Sequence, residues 1–384
     1  MRHDCWSLWQ DRGFLIHPDP IVELNTAIGS DFPIPAADIA ELEAIAEDLP
    51  TLMETRRIRP TLDALPVLDM AGLNPLLDSI DFRIIERLNQ IYAYFASAYI
   101  YAPGEETANR IPRGVAVPLV QLAAMVERPP ILSYAGYVLN NWRRSVHDAP
   151  LVVDRLTLNQ PFLGNKDESW FILIHADIEA RASGALNGVQ AAAQAVGAAD
   201  AAGVEAGLRA TIDSLHQMMA TFKRMPEGCD SDVYYFKVRP YIFGFNDVVY
   251  EGVFNDEPQT FRGQTGAQSS IIPALVAAFG LKHEKSSLTH HLEIMQDYMP
   301  RPHREFIARM KRAGIRSFVA EAGVPSLNEA YNEALRQLLA FRHQHYGYAA
   351  RYIFDKVENP IGTGGTVFME WLKVLITETE AQML

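Results

Sequence analysis

His345 stands in a run of good helix formers, Ser326 to Lys356, in which neither Gly nor Pro occurs before Gly347. At about 100° per residue, Ala334, Leu338, Phe341, His345, Ala349 and Tyr352 share one apolar stripe, and His343 points the opposite way. A buried neutral imidazole must find a hydrogen-bond partner or ligate a metal, because leaving it unpaired costs roughly 1–3 kcal/mol. On the stripe alone, a satisfied core histidine is the simpler of the two. His175, in WFILIHADIE four residues after Phe171, poses the same choice in a second apolar helical stretch. Arg239, in VYYFKVRPYIFGF, cannot lose its proton, so if buried it needs an anion, either a structural carboxylate or that of a ligand. Two loops carry glycines, Arg262-Gly263-Gln264-Thr265-Gly266 and Gly362-Thr363-Gly364-Gly365-Thr366. Neither is a nucleotide-phosphate fingerprint, since no strand precedes the second and no Lys follows it. Thr366 reads as the N-cap of a last helix, and a glycine-rich approach to a helix N-terminus can hold a carboxylate or close as a lid.

Other chemistries lack their residues. The HEKSSLTHHLE run holds His283, His290, His291 and Glu293, but without a zinc-protease spacing it reads as a solvated helix face. No Gly-x-Ser-x-Gly elbow occurs, and no carboxylate pair for glycoside hydrolysis can be picked out. Cys5 and Cys229, far apart, exclude a disulfide framework or a cysteine-based zinc site and suggest a reducing, cytoplasmic compartment. A formal charge of −13, with no Lys/Arg-rich run, argues against a nucleic-acid or anionic-membrane surface. There is neither a signal-peptide pattern nor an apolar run long enough to span a bilayer.

The elements that must position these residues are mainly helical. The 384 residues, 48% of them apolar, exceed one typical core. We expect a small N-terminal domain over 1–150, a linker over 151–168 where helical periodicity is lost, and a larger all-helical domain over 169–384. Helical spacing appears at 37–58, interrupted at Pro50, at 79–101, at 114–126 and in a further helix through Trp142. It resumes at 170–197 and 201–223, then after Ser269, through Met295, at 326–356 and at 367–382. Ser326 and Glu329 match a capping box. The alanine-rich 170–197 stretch suits close helix packing or the floor of a pocket for a flat ligand.

Two core histidines on different helices, a buried arginine and two glycine loops form a set that resembles the indoleamine 2,3-dioxygenase family. Specific stretches carry the likeness in the family's order: IPRGVAVPLVQLA (111–123), RPPILSYAGYVLNNWRR (128–144), VYEGVFND (249–256), FRGQTGAQSS (261–270), YMPRPHREF (298–306), RHQHYGYAARYI (342–353) and GTGGT (362–366). The resemblance implies haem b held between the two helical domains, with His345 as the iron ligand and Arg342 on the same side. It implies contacts of Tyr137, Gly263, Gln264, Thr265 and Gly266 with the cofactor. Arg239 would take the substrate carboxylate, with Tyr134, Phe171, Tyr234, Tyr235 and Thr366 as further substrate contacts. His175 replaces a serine of the animal enzymes, as in the related tryptophan 2,3-dioxygenases, and could accept the indole N–H or donate to dioxygen. Val276 stands where the animal enzymes have an aspartate. The implied reaction is dioxygen-dependent cleavage of the indole C2–C3 bond of L-tryptophan or a close derivative, in a monomer or homo-oligomer served by an electron donor that keeps iron ferrous. Insertion of a single oxygen atom into a modified indole, or haem or indole sensing without turnover, are the alternatives.

Overall fold

The computed structural model describes residues 3–358, 360, 362–365 and 368–384. Three short helices, α1 (Ala36–Glu47), α2 (Leu49–Glu54) and α3 (Ile58–Asp63), open the N-terminal part, and Pro50 sits in the first turn of α2. Proline is tolerated there because its missing N–H would be unpaired anyway. α4 (Phe82–Ile100) starts where the Asp81 side chain accepts from Arg83 N, and it is buried on every face between its neighbours. α5 (Arg113–Val126) crosses it and ends on Glu127 in the left-handed region. Where the sequence suggests another helix through Trp142, the chain makes only a single wide turn, Ala135–Leu139.

α6 (Lys166–Arg181) is capped by Asn165, whose side chain accepts from Glu168 N (2.9 Å). Asp167 and Glu168 lie in its first turn and Arg181 in its last, as the helix dipole favours. The helical stretch expected to run on to Gly197 breaks at Ala182, giving α7 (Ser183–Gly197). α8 (Ala201–Phe222) packs on α7 at backbone contact: a Cβ on Gly207 would sit 2.5 Å from Gly188 O. The small residues therefore serve helix packing. α9 (Ile271–Ala278), α10 (Ser287–Gln296), α11 (Arg301–Met310) and α12 (Ile315–Ala322) lead to the long α13 (Pro325–Tyr352) and to α14 (Phe368–Glu380).

The capping box expected at Ser326 does not form. Pro325 begins the helix, which places Ser326 inside its first turn, and the hydroxyl instead bonds Glu205 (2.8 Å). Strands are short: β1 (Arg110–Ile111), β4 (Phe245–Tyr250) and β5 (Pro258–Phe261) form one sheet in the order β1-β4-β5, and β2 (Arg143–Arg144) pairs antiparallel with β3 (Leu156–Thr157). One continuous cluster of buried apolar side chains runs from Trp6 and Phe14 to Tyr352. Phe14 stacks on His303 of α11 at 4.1 Å, joining the N-terminal segment to the second half of the chain. Among the described residues no helix is long and apolar enough to cross a membrane.

Candidate functional site

α6, α8, α13 and α14, with the two glycine loops, enclose a cavity of about 700 Å³ whose wall is mainly apolar. From α13, Phe341, Arg342, His345, Ala349 and Tyr352 face it; from α6, Phe171, His175, Ile178 and Glu179 do. The stripe read from the sequence is thus the cavity face of α13, and His343 lies on the outside, in a surface groove with His216.

His345 lines the cavity, and its side chain is accessible from it. Burial first, then the neighbouring His175 and Arg342, push its pKa down to about 4, so the ring is neutral with a lone pair to offer. Among the described residues it makes no side-chain hydrogen bond. Nor do they contain a cluster of three or more His, Cys, Asp or Glu side chains able to hold a bare ion. A lone neutral imidazole in an apolar cavity fits a metal that brings its other ligands with it, as an iron porphyrin does.

His175 Nδ1 lies 2.7 Å from Phe171 O. A carbonyl can only accept, so Nδ1 carries the proton and Nε2 keeps its lone pair. Burial lowers the pKa of His175, against this bond, and holds the ring in that neutral form. In this tautomer Nε2 can accept a hydrogen bond but has none to donate. Around it, Phe171 and Tyr234 touch at 4.3 Å with their planes tilted by 30°, and Tyr134 stands edge-on to the imidazole at 6.4 Å. These rings give that side of the cavity an aromatic wall on which a flat ligand can lie.

Arg342 is buried, lines the cavity and donates to Leu375 O (2.7 Å), while its Nε is buried without a partner among the described residues. Burial lowers its pKa to about 10, which Glu378 only partly offsets; Val276, also on the cavity wall, carries no charge. An anionic edge of a ligand would satisfy it.

Gln264, Thr265 and Gly266 form part of the wall, as do Gly362, Thr363 and Gly364 of the second loop. The two loops touch: Thr363 Oγ1 donates to Gln264 O (2.6 Å) and Arg262 Nη1 to Gly364 O (3.3 Å). Gly263 lies just behind the wall, where a Cβ would be 2.4 Å from Ile242 O, so only glycine fits. Thr366 lies outside the described residues.

Besides Gly263, three expected site residues stand off the wall. Tyr137 is turned into the core by the Ala135–Leu139 turn and stacks near Tyr94 (6.3 Å), with its hydroxyl buried away from the cavity. Arg239 is buried with its guanidinium over the rings of Tyr235 (5.1 Å) and Phe243 (4.6 Å), so neither it nor Tyr235 lines the cavity. Conversely, His291 is buried on the wall against Trp371 (5.3 Å), and His283 is paired with Glu378 (2.5 Å). The expected solvated face of that run holds for Glu284, Lys285, Ser286, Ser287, His290 and Glu293, but not for His283 and His291. Glu179, Ser269, Met218, Phe222 and Leu375 also line the cavity without having been marked in the sequence. Helical spacing from His175 was the available signal for Glu179.

The family model described as indoleamine 2,3-dioxygenase matches residues 4–360. Indoleamine 2,3-dioxygenase 1 of Mus musculus is 30% identical, with the match covering 98% of this chain and 94% of that protein. The Saccharomyces cerevisiae indoleamine 2,3-dioxygenase is also 30% identical, over 88% of this chain and 86% of its own length. Indoleamine 2,3-dioxygenase nanC of Aspergillus nanangensis is 29% identical over 86% of this chain and 87% of its own.

Proposed function

The chain belongs to the indoleamine 2,3-dioxygenase family, and we propose that it uses haem b and dioxygen to cleave the indole C2–C3 bond of L-tryptophan or a close derivative, giving a formylkynurenine-type product. The observation that carries this reading is the cavity with a free neutral imidazole, His345, on one helix and an acceptor imidazole, His175, on another. His345 would hold the iron, and Arg342 would meet a carboxylate of the macrocycle. When bound, the haem supplies the redox-active iron at which dioxygen is taken up and activated.

The chain's own residues then position the substrate. Phe171, Tyr234 and Tyr134 receive the indole, and His175 Nε2 accepts its N–H, which fixes the ring's rotation within its plane. His175 acts as an orienting acceptor rather than an obligatory base. Arg239 would anchor the amino-acid carboxylate by moving from its place over Tyr235 and Phe243 toward the cavity, with Tyr235 and Thr366 as its companions. The paired glycine loops exclude water from the mouth. Turnover needs an electron donor to keep the iron ferrous.

The test is an absorption spectrum of the purified protein, ferric and reduced, followed by L-tryptophan under air with mass analysis. We expect a Soret band that is lost in His345→Ala and a product heavier by two oxygen atoms. A product heavier by one oxygen would make the protein a monooxygenase, and haem uptake without turnover on any indole would make it a binding protein.

A further inference from the structure

One acidic group in the cavity wall has no part in the reading above. Glu179 follows His175 by one helical turn on α6, is 1% exposed, and lines the cavity. Its Oε1 accepts from Ser269 Oγ (2.6 Å), and the Tyr134 hydroxyl is bonded to the same carboxyl. Oε2 is sealed from solvent without a partner placed on it among the described residues.

The two protonation states of this carboxyl require different hydrogen-bond patterns. An ionised carboxylate can only accept, so both hydroxyls point their protons at it, and the Tyr134 oxygen turns lone pairs alone toward the cavity. A neutral acid must place a proton of its own. Ser269 already donates to Oε1, and the Tyr134 oxygen is the acceptor at hand. The phenol's proton then leaves the carboxyl and has two places to go: Ser269 Oγ, which is also bonded to the Tyr134 hydroxyl, or the cavity, where a bound ligand that accepts draws it. We propose that Glu179 is a positioning residue whose proton sets whether Tyr134 offers a bound ligand a lone pair or a hydrogen-bond donor. The inference rests on the reading that the cavity takes haem and a ligand on the His175 side.

The proton is exchangeable in a useful range. Burial pushes the Glu179 carboxyl up to about 7, against the two hydroxyl donors, and no charged side chain contributes. Burial raises Tyr134 well above its ordinary value, so the phenol always has one proton to direct. The other titratable groups nearby are spoken for. His175 is held neutral on the same helix, and His303 of α11, bonded to Ser270 (3.1 Å), is held far below its ordinary value by burial. Asp177 and Arg181 pair with each other (2.8 Å), and Lys311 is an exposed cation at the cavity's rim.

Two infrared measurements test it between about pH 5.5 and 8.5, either side of the neutral range. The first follows the C=O stretch of a protonated carboxylic acid, with and without haem. Burial also pushes Glu168 up to about 7, so the band is read as the difference between wild type and Glu179→Gln, in which Glu168 cancels. That difference should show an acid band that disappears with a midpoint near pH 7. The second follows the C–O stretch of carbon monoxide on the reduced haem protein, which falls when a hydrogen-bond donor faces the bound gas. Wild type should shift with the same midpoint, whereas Glu179→Gln and Tyr134→Phe should be invariant with pH. Absence of the acid band overturns the proposal, and so does an acid band with a C–O stretch that ignores it. If the chain takes up no haem, the proposed function fails, and the acid band in the haem-free protein still decides whether Glu179 holds the proton.

Discussion

Because Phe171 O fixes the proton of His175 on Nδ1, the ring meets the cavity with a lone pair and nothing to donate. An indole N–H satisfies that lone pair; an N-methylated indole leaves it unpaired and puts a methyl group against it. A neutral hydrogen bond of this kind contributes about 0.5–1.5 kcal/mol, or roughly twofold to tenfold in affinity. His175→Ala should therefore weaken L-tryptophan binding by up to about tenfold while leaving the N-methyl analogue unchanged or improved. Equal losses for both, measured by titrating the absorption spectrum, would remove the N–H contact. At this scale the sequence was legible for His345, His175, Phe171 and Tyr134, since helical spacing or motif context brought each to the wall. It was less so for Arg239 and Tyr137, whose side-chain directions are set by short irregular turns, Tyr234–Val238 and Ala135–Leu139, that have no periodicity to read.

α6 carries Phe171, His175 and Glu179, so its position decides the geometry of one whole wall. Its first turn is fastened by Glu168, fully buried, which accepts from the backbone N–H groups of Phe162 (2.7 Å), Leu163 (2.9 Å) and Gly164 (3.0 Å). One carboxylate thus closes the loop that enters the helix. Glu168→Ala leaves three amides short of an acceptor, at about 1–3 kcal/mol for each that water cannot reach. We expect at least about 3 kcal/mol of destabilisation in thermal or denaturant melting, with Glu168→Gln in between because it keeps one acceptor oxygen. Melting of Glu168→Ala at the wild-type temperature would mean that the loop is held by other contacts. The existence of α6 could be read from its sequence, but not its ends. Lys166 to Ser169 look like linker until Asn165 is seen capping them, and the break at Ala182 is marked only by Gly184, which continues the next helix rather than ending one. The Ser326-x-x-Glu329 pattern failed for a related reason, because Pro325 is preorganised for the first helical position and displaces the serine from the cap.

Taken as a whole, the molecule surrounds its cavity with parts distant in sequence, from Tyr134 to Leu375, and an apolar-walled space of about 700 Å³ is poorly packed until something fills it. A group that binds only the folded chain stabilises it by mass action, about 2.7 kcal/mol at a hundred times its dissociation constant. The holoprotein should therefore melt several degrees above the haem-free protein, with most of the difference lost in His345→Ala, since the iron bond is then gone and only apolar packing remains. Backbone amides of α14 and of the second half of α13 should show the same dependence in hydrogen exchange, because their inner faces supply Trp371, Leu375, His345 and Tyr352 to the wall. α7 and α8 make the control. Their mutual packing at Gly188 and Gly207 is backbone against backbone and, apart from Met218 and Phe222 on α8, owes nothing to the cavity. Protection that rises equally in α7 and in α13 on adding haem would mean that the cofactor stabilises the chain globally. Protection confined to α13, α14 and the glycine loops would mean that these elements alone are assembled around it.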